Sequence, residues 1–247
     1  MLHINISNPA ELISALPHNV KLTKGDLLTE DFLLYKNNGL EIYYAPFDYT
    51  NETAKVVIVG ITPGWNEMEI SFRQVRAALS RGLSFEQACK LAKQQAAFVG
   101  STRKNLCEML DDLGLPAIFT IENSQSLFHD NIHLLDATSV IRYPVFIHSK
   151  NYTGHSPNLL KTPILRQFAV EIFSEEIKAI KDALIIPLGS LVTSALELLI
   201  EQGMVKKEQC LLGFPHPSGA NRHRKKQYEK AKPELKTMLL KNLLYLM

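Results

Sequence analysis

The sequence predicts an α/β fold of three layers, α/β/α, around a central, mostly parallel four-stranded sheet. Two observations carry that expectation. Lys55-Val56-Val57-Ile58-Val59 is a continuous β-branched run of the kind buried on both faces of a parallel sheet. Further apolar runs follow it, separated by stretches with helical spacing, and alternating strands and helices imply a sheet covered on both sides.

Residues 1–54 read as an N-terminal extension packed on the main fold. They hold two short helical or turn signals and then Leu40-Glu41-Ile42-Tyr43-Tyr44, a run that suits an edge strand before the turn Pro46-Phe47-Asp48. The main domain spans 55–247. Its first strand ends at Gly60 and Pro63-Gly64, and chemistry is expected at the carboxyl end of such a strand. Residues 70–95 carry apolar positions at helical spacing, broken at Gly82, and Ser101 to Leu113 gives a second helix ending at Gly114. His133 to Thr138 and Ala183 to Pro187 are the next strands, and Leu188-Gly189-Ser190 leads from the latter into a helix reaching about Glu201. Cys210-Leu211-Leu212-Gly213 supplies the fourth strand, before a long basic helix from about Asn221 to Leu246. Ser149 to Pro163 is the longest irregular stretch.

Composition excludes several classes. With 27 Lys and Arg against 25 Asp and Glu the formal net charge is +2, so a nucleic-acid surface must be a local patch. Cys89, Cys107 and Cys210 form no CxxC pair, which argues against a disulfide framework, a zinc ribbon or an iron-sulfur cluster, and suits a reducing compartment. Met1-Leu2-His3-Ile4-Asn5 has neither a basic start nor a long apolar region, and no stretch approaches the ~18 apolar residues of a membrane span. A cytoplasmic protein without metal or other cofactor is expected. His129 and His133 have the i, i+4 spacing of a zinc site, but no glutamate follows His129 and the second histidine enters a strand.

Four segments, taken in order, narrow the function. Gly60-Ile61-Thr62-Pro63-Gly64 is a tight turn after the first strand. Ala97-Phe98-Val99-Gly100-Ser101 opens a helix with an aromatic ring. Leu184 to Gly189 is a strand-to-helix step ending in Leu-Gly. Gly213-Phe214-Pro215-His216-Pro217-Ser218-Gly219-Ala220-Asn221-Arg222 sets an H-P-S loop before a basic helix. Together they resemble the uracil-DNA glycosylase-like superfamily over most of residues 55–247.

The resemblance implies a DNA base-excision enzyme that flips a nucleotide and hydrolyses the N-glycosidic bond of uracil or another deaminated or damaged base. It implies that Gly60, Ile61, Pro63, Gly64 and the adjacent Trp65 approach the flipped nucleotide, that Phe98 stacks on the base, and that Thr138 and Ser139 read its edge. His216 would stabilise charge on the departing base. Pro217, Ser218, Gly219, Asn221, Arg222, Arg224 and Lys225 would meet the DNA backbone of single or double strands.

The family pattern also breaks here. Thr62 stands where the family has Asp or Asn, Ile61 where one branch has Glu, and Thr138 where an Asn reads uracil. A hydroxyl can orient water but is no general base near neutrality. Asp136, two residues before Thr138 and on the same strand face, is the candidate replacement carboxylate, with Glu67 as the other. These losses motivate a second reading, a catalytically inactive DNA- or nucleotide-binding member. A third is an unrelated hydrolase of a small nucleoside or phosphate ester using Asp136 and His216.

Overall fold

The computed structural model describes residues 6–18 and 21–246, with side chains described to residue 242. The N-terminal pentapeptide read above lies outside the described residues. In chain order the elements are α1 (Pro9–Ser14), α2 (Lys24–Leu27), β1 (Leu33–Asn37), β2 (Leu40–Tyr43), β3 (Val56–Gly60), α3 (Trp65–Leu79), α4 (Phe85–Ala96), α5 (Ser101–Leu113) and α6 (Leu115–Phe119). There follow β4 (Leu135–Ser139), β5 (Val145–Ile147), β6 (Lys150–Asn151), α7 (Pro163–Gln167), a π-helical turn (Phe168–Phe173), α8 (Ser174–Ala179), β7 (Leu184–Pro187), α9 (Ser190–Glu201) and α10 (Arg224–Leu246).

The β-branched run forms β3, buried along its whole length and central in a parallel sheet of order β4-β3-β7. Val56 to Gly60 pair in register with Leu135 to Ser139, and Val56 to Val59 with Leu184 to Pro187. The α/β architecture is as the sequence predicts, but the fourth strand is reduced to a single parallel bridge between Ile185 and Cys210. The Leu211 amide still donates to Ile185 O at 2.8 Å. Gly213, at φ +86°, then turns the chain away before a ladder can grow.

Val57, Val59 and Ile185 face a core shared with α3, α4, α9 and the N-terminal segment, while Val56, Ile58, Leu184 and Ile186 face α5, α6 and α10. Gly82 (φ +82°) divides the helical pattern over 70–95 into two helices. A reciprocal capping box between Ser84 and Gln87 starts α4. The N-terminal segment contributes Ile13, Leu22, Leu27 and Phe32 to the first core, with the Phe32 and Phe72 rings edge to face at 4.8 Å. The run 40–44, expected as an edge strand, is not one, and β1 takes the edge instead. β2 is an inner strand of a second, antiparallel sheet of order β1-β2-β5-β6, because β5 of the main domain pairs along it.

A buried ion network fastens α4 to the parallel sheet. Lys93 Nζ lies 3.0 Å from Asp136 Oδ1 and 3.1 Å from Glu176 Oε1, and Arg142 Nη2 reaches Glu176 Oε2 at 3.0 Å. Tyr49 O accepts from the same ammonium at 2.7 Å. Burial works to lower the Lys93 pKa, but Asp136 and Glu176 outweigh it and hold the value above that of a free lysine. Glu176 is likewise penalised by burial, yet Lys93 and Arg142 bring its carboxyl below the usual range. Two acids and two bases thus compensate each other. Removing one leaves an unpaired buried charge, so Lys93→Met is expected to lower the unfolding free energy by about 3–5 kcal/mol in urea denaturation. A loss under ~1 kcal/mol would mean that the network does not brace the fold.

Candidate active site

The loops at the carboxyl ends of β3 and β7, the start of α5, and the segment before α10 surround one cleft of about 1380 Å³. That exceeds the ~300–1,000 Å³ of a small-ligand pocket and suits a polymer.

Gly60 to Gly64 make the first wall. A Cβ on Gly60 would sit 3.0 Å from Phe98 Cε1 and 3.2 Å from Ser139 Oγ, so only glycine lets the Phe98 ring lie on this turn. Phe98 itself has φ +52°, a left-handed conformation costing a non-glycine residue roughly 1–3 kcal/mol. Two bonds hold it there. Its N–H donates to Glu67 Oε1 at 2.9 Å, and its carbonyl accepts from Arg103 N at 2.7 Å. Glu67 Oε2 accepts from the Gly64 amide at 2.7 Å, capping α3. One carboxylate thereby couples the first loop to the aromatic residue, and it remains part of the cleft lining. Burial raises its pKa, opposed by the two backbone donors.

Thr62 lines the cleft, but its hydroxyl donates to Tyr143 O at 2.8 Å and accepts from Val145 N at 3.2 Å. It braces the loop against the segment before β5 and has one lone pair left for water. Ile61 packs against Gly154, where any Cβ would meet Leu191 Cδ1 at 2.5 Å and Ile61 Cδ1 at 3.3 Å. Trp65 departs from expectation. It is not among the cleft-lining residues, and its ring lies 5.9 Å from the Lys24 ammonium while its amide donates to Asn151 Oδ1.

Thr138 and Ser139 end β4 in a small cavity of about 20 Å³, lined also by Pro63, Glu67, Phe98 and Arg142. This is room for one water. They therefore sit behind the Phe98 ring and outside the open cleft. Asp136 points elsewhere again. Its carboxylate is 2% exposed, holds Lys93 with both oxygens, accepts from Asn51 N at 2.9 Å, and lines neither the cleft nor the small cavity. Asp136 and His216 border different cavities, which corrects the expectation that Asp136 replaces the missing carboxylate and removes the basis of the nucleoside-hydrolase reading.

His216 adds a further wall of the cleft. Its Cβ would lie 3.0 Å from a Cβ on Gly189, whose φ of +93° also demands glycine, and the Gly189 amide donates to Phe214 O at 2.8 Å. Nδ1 accepts from the Ser218 amide at 3.1 Å, so the neutral ring carries its proton on Nε2. Burial lowers the ring's pKa from 6.5 and keeps it neutral at pH 7. The loop is anchored by Asn105 Nδ2 to Pro217 O, by Asn221 Nδ2 to His216 O, and by Arg224 Nη1 to Ser218 O. A Cβ on Gly219 would meet Ser101 Oγ at 3.1 Å. Pro217 and Arg224 thus shape the loop, whereas Arg222 and Lys225 are exposed beside it.

Sequence reasoning missed a further wall, Asn151 to His155, inside the stretch read as irregular. Only Gly154, at φ +88°, signalled that this segment packs closely. Among the described residues no group of three His, Cys, Asp or Glu is placed to hold a metal ion, and no helix is long and apolar enough to cross a membrane.

The His216 geometry is testable by nitrogen NMR of the imidazole, with an Nε2-protonated neutral ring expected at pH 7 and a titration midpoint below 6.5. The folded ring gives up its proton more readily than the unfolded chain does. Its contribution to stability is therefore full above pH 6.5 and falls as the pH drops from 6.5 through the folded midpoint. A midpoint above 6.5 would contradict the buried, neutral donor.

The model of the uracil DNA glycosylase superfamily matches residues 47–243, which takes in the whole parallel sheet and every loop of the cleft. The protein YoxB of Bacillus subtilis (strain 168), described as uncharacterized, is 44% identical over 232 residues, 93% of this chain and 90% of YoxB. No solved structure gives a significant match. The superfamily acts on DNA, and a match of this extent supports a glycosylase-like function. The chain belongs to the uracil DNA glycosylase superfamily.

Proposed function

We propose that this protein is a DNA base-excision glycosylase that flips a deaminated or damaged base, uracil among them, into the cleft and hydrolyses its N-glycosidic bond. The observation that carries the reading is His216, a neutral imidazole whose Nδ1 accepts from Ser218, so that the proton sits on Nε2, which has no partner among the described residues. When the bond from C1′ to the base nitrogen breaks, its electron pair leaves on the base. A fixed donor at an exocyclic oxygen stabilises that charge as it develops. The Phe98 ring offers a stacking face that suits any base, and Gly60 lets the sugar come close to the backbone.

Water completes the reaction by adding its oxygen to C1′ and releasing a proton. Thr62 holds the loop rather than the water, since its hydrogen goes to Tyr143 O. Glu67 is the acidic group of the first loop's own helix that lines the cleft, and it is the acceptor we assign to that proton. Arg222 and Lys225 contact phosphates, which makes binding independent of sequence and sensitive to salt.

Labelled oligonucleotides carrying uracil, hypoxanthine, xanthine or a mismatch, treated with the protein and then with alkali, test this directly. Strand breaks are expected at one or more of these bases, with His216→Ala lowering the rate by about 10²–10³-fold, the usual loss for one charge-stabilising donor. Arg222→Ala and Lys225→Ala are each expected to weaken DNA binding for all sequences and to reduce the slope of log affinity against log salt by about 1.

A second reading, a binder that has lost hydrolysis, is favoured by the commitment of Thr62 to backbone partners and of Asp136 to Lys93. DNA binding without breaks at any of the four substrates would decide for it.

A further inference from the structure

A second cavity, of 190 Å³, lies away from the cleft at the open edge of β4. It is bounded by α4 through Lys90, Lys93 and Gln94, by the N-terminal segment through Tyr49, and by the chain before β4 through Phe128 and His133. We infer that this cavity is a binding site for a single oxo-substituted nucleobase, unlinked to sugar, in the class of uracil, hypoxanthine and xanthine.

The backbone of Ala137 is open on the cavity side. β4 is the end strand of its sheet. The Lys55 amide donates to Leu134 O, and the Val140 amide to Gly60 O, so even-numbered residues of this strand turn their peptide groups toward β3. Odd-numbered residues turn outward, and Asn51 Nδ2 accordingly reaches both His133 O at 2.8 Å and Leu135 O at 3.0 Å. Ala137 is the next odd residue, and it lines the cavity. Among the described residues nothing bonds its outward N–H and C=O. A donor and an acceptor side by side on a strand edge match the adjoining C=O and N–H of an oxo-substituted ring.

Size and lining fit the same ligand. A cavity of ~150 Å³ is enough for a benzene-sized ring, so 190 Å³ takes a six-membered heterocycle with its exocyclic oxygens but leaves little room for a ribose. Tyr49 and Phe128 supply aromatic walls. Both rings carry cations, Lys90 Nζ at 5.3 Å from the Tyr49 centroid and the Arg103 guanidinium at 4.5 Å from that of Phe128. The side chains of Gln94, Lys90 and His133 have no hydrogen-bond or ion-pair partner among the described residues, leaving donors for ring oxygens. Lys93 is different, since Asp136, Glu176 and Tyr49 O occupy its ammonium.

The rear cavity neighbours the cleft without opening into it. The rear cavity shares Lys93, Ala97 and Ala137 with the 20 Å³ cavity, which in turn shares Glu67 and Phe98 with the cleft. The 20 Å³ cavity between them holds one water and passes no base, so a free base enters the rear cavity from solvent. The site stands on its own geometry, while the choice of deaminated bases as its ligands rests on the glycosylase reading.

The test is titration of the isotope-labelled protein with free uracil, hypoxanthine and xanthine, following backbone amide shifts. Saturable shifts are expected at Tyr49, Gln94 and Ala137, with uridine failing to produce them. Tyr49→Leu and Gln94→Leu, on separate elements, are each expected to weaken binding at least tenfold with an otherwise unchanged spectrum, and His216→Ala to leave it within twofold. Shifts centred on Gly60, Phe98 and Gly189 and abolished by His216→Ala would assign the base to the cleft and overturn the inference, as would no binding of any of the three bases. The strand-cleavage assay reports on the glycosylase reading separately, so failure of one is distinguishable from failure of the other.

Discussion

The Lys93 ammonium, enclosed by Asp136, Glu176 and the Tyr49 carbonyl, is the interaction on which the placement of the site depends. Lys93 stands near the end of α4, five residues before Phe98, and Asp136 stands two residues before Thr138 in β4. Holding the two charges together fixes the end of α4 over the end of β4, and that sets the Phe98 ring against Gly60 and Ser139. A buried ion pair is a costly way to join two elements, since desolvation consumes most of the Coulomb energy. What it supplies is position: an apolar contact of the same area would tolerate a shift along the strand, whereas an ammonium donating to Asp136, Glu176 and Tyr49 O does not.

The same economy of polar groups governs the cleft. Thr62, Asn105 and Arg224 make hydrogen bonds that shape the loops, and Glu67 does so while still facing the cleft, so few side chains are left to act on a bound substrate. His216 is different because one of its nitrogens is used to orient the other. A loop bonded to itself through Ser218, seated on Gly189 and pinned by Asn221 holds that donor without reorganisation when charge develops near it. The strained φ of Phe98 belongs to the same design, with Glu67 supplying the bond that keeps the residue there.

Much was legible in the chain because the relevant physics is local. The β-branched run at 55–59 had to be a doubly buried strand, Gly82 and Gly114 had to end helices, and Gly60 announced a close approach that the structure assigns to Phe98, while the strand-to-helix step at Gly189 gave no sign that His216 packs on it. The motif His216-Pro217-Ser218 was readable for the same reason, since its key bond spans only two residues. Other features were hidden because they depend on residues far apart. The partners of Asp136 come from Asn51, 85 residues away, and Lys93, 43 residues away, so strand parity placed its face correctly but could not reveal a cation waiting there.

Sequence alone therefore determined the layered α/β class, the three strands of the parallel sheet and the loops at Gly60, Phe98, Gly189 and His216, all consequences of side-chain period and of backbone freedom at glycine. Tertiary structure decided which polar groups remain free. Thr62 and Asp136 look available in the chain and are consumed by packing, Glu67 caps α3 and still lines the cleft, and β2 looks like an edge and is covered by β5. The reason is that hydrogen-bond capacity is a property of each residue, whereas its expenditure depends on neighbours that only the folded chain brings within reach.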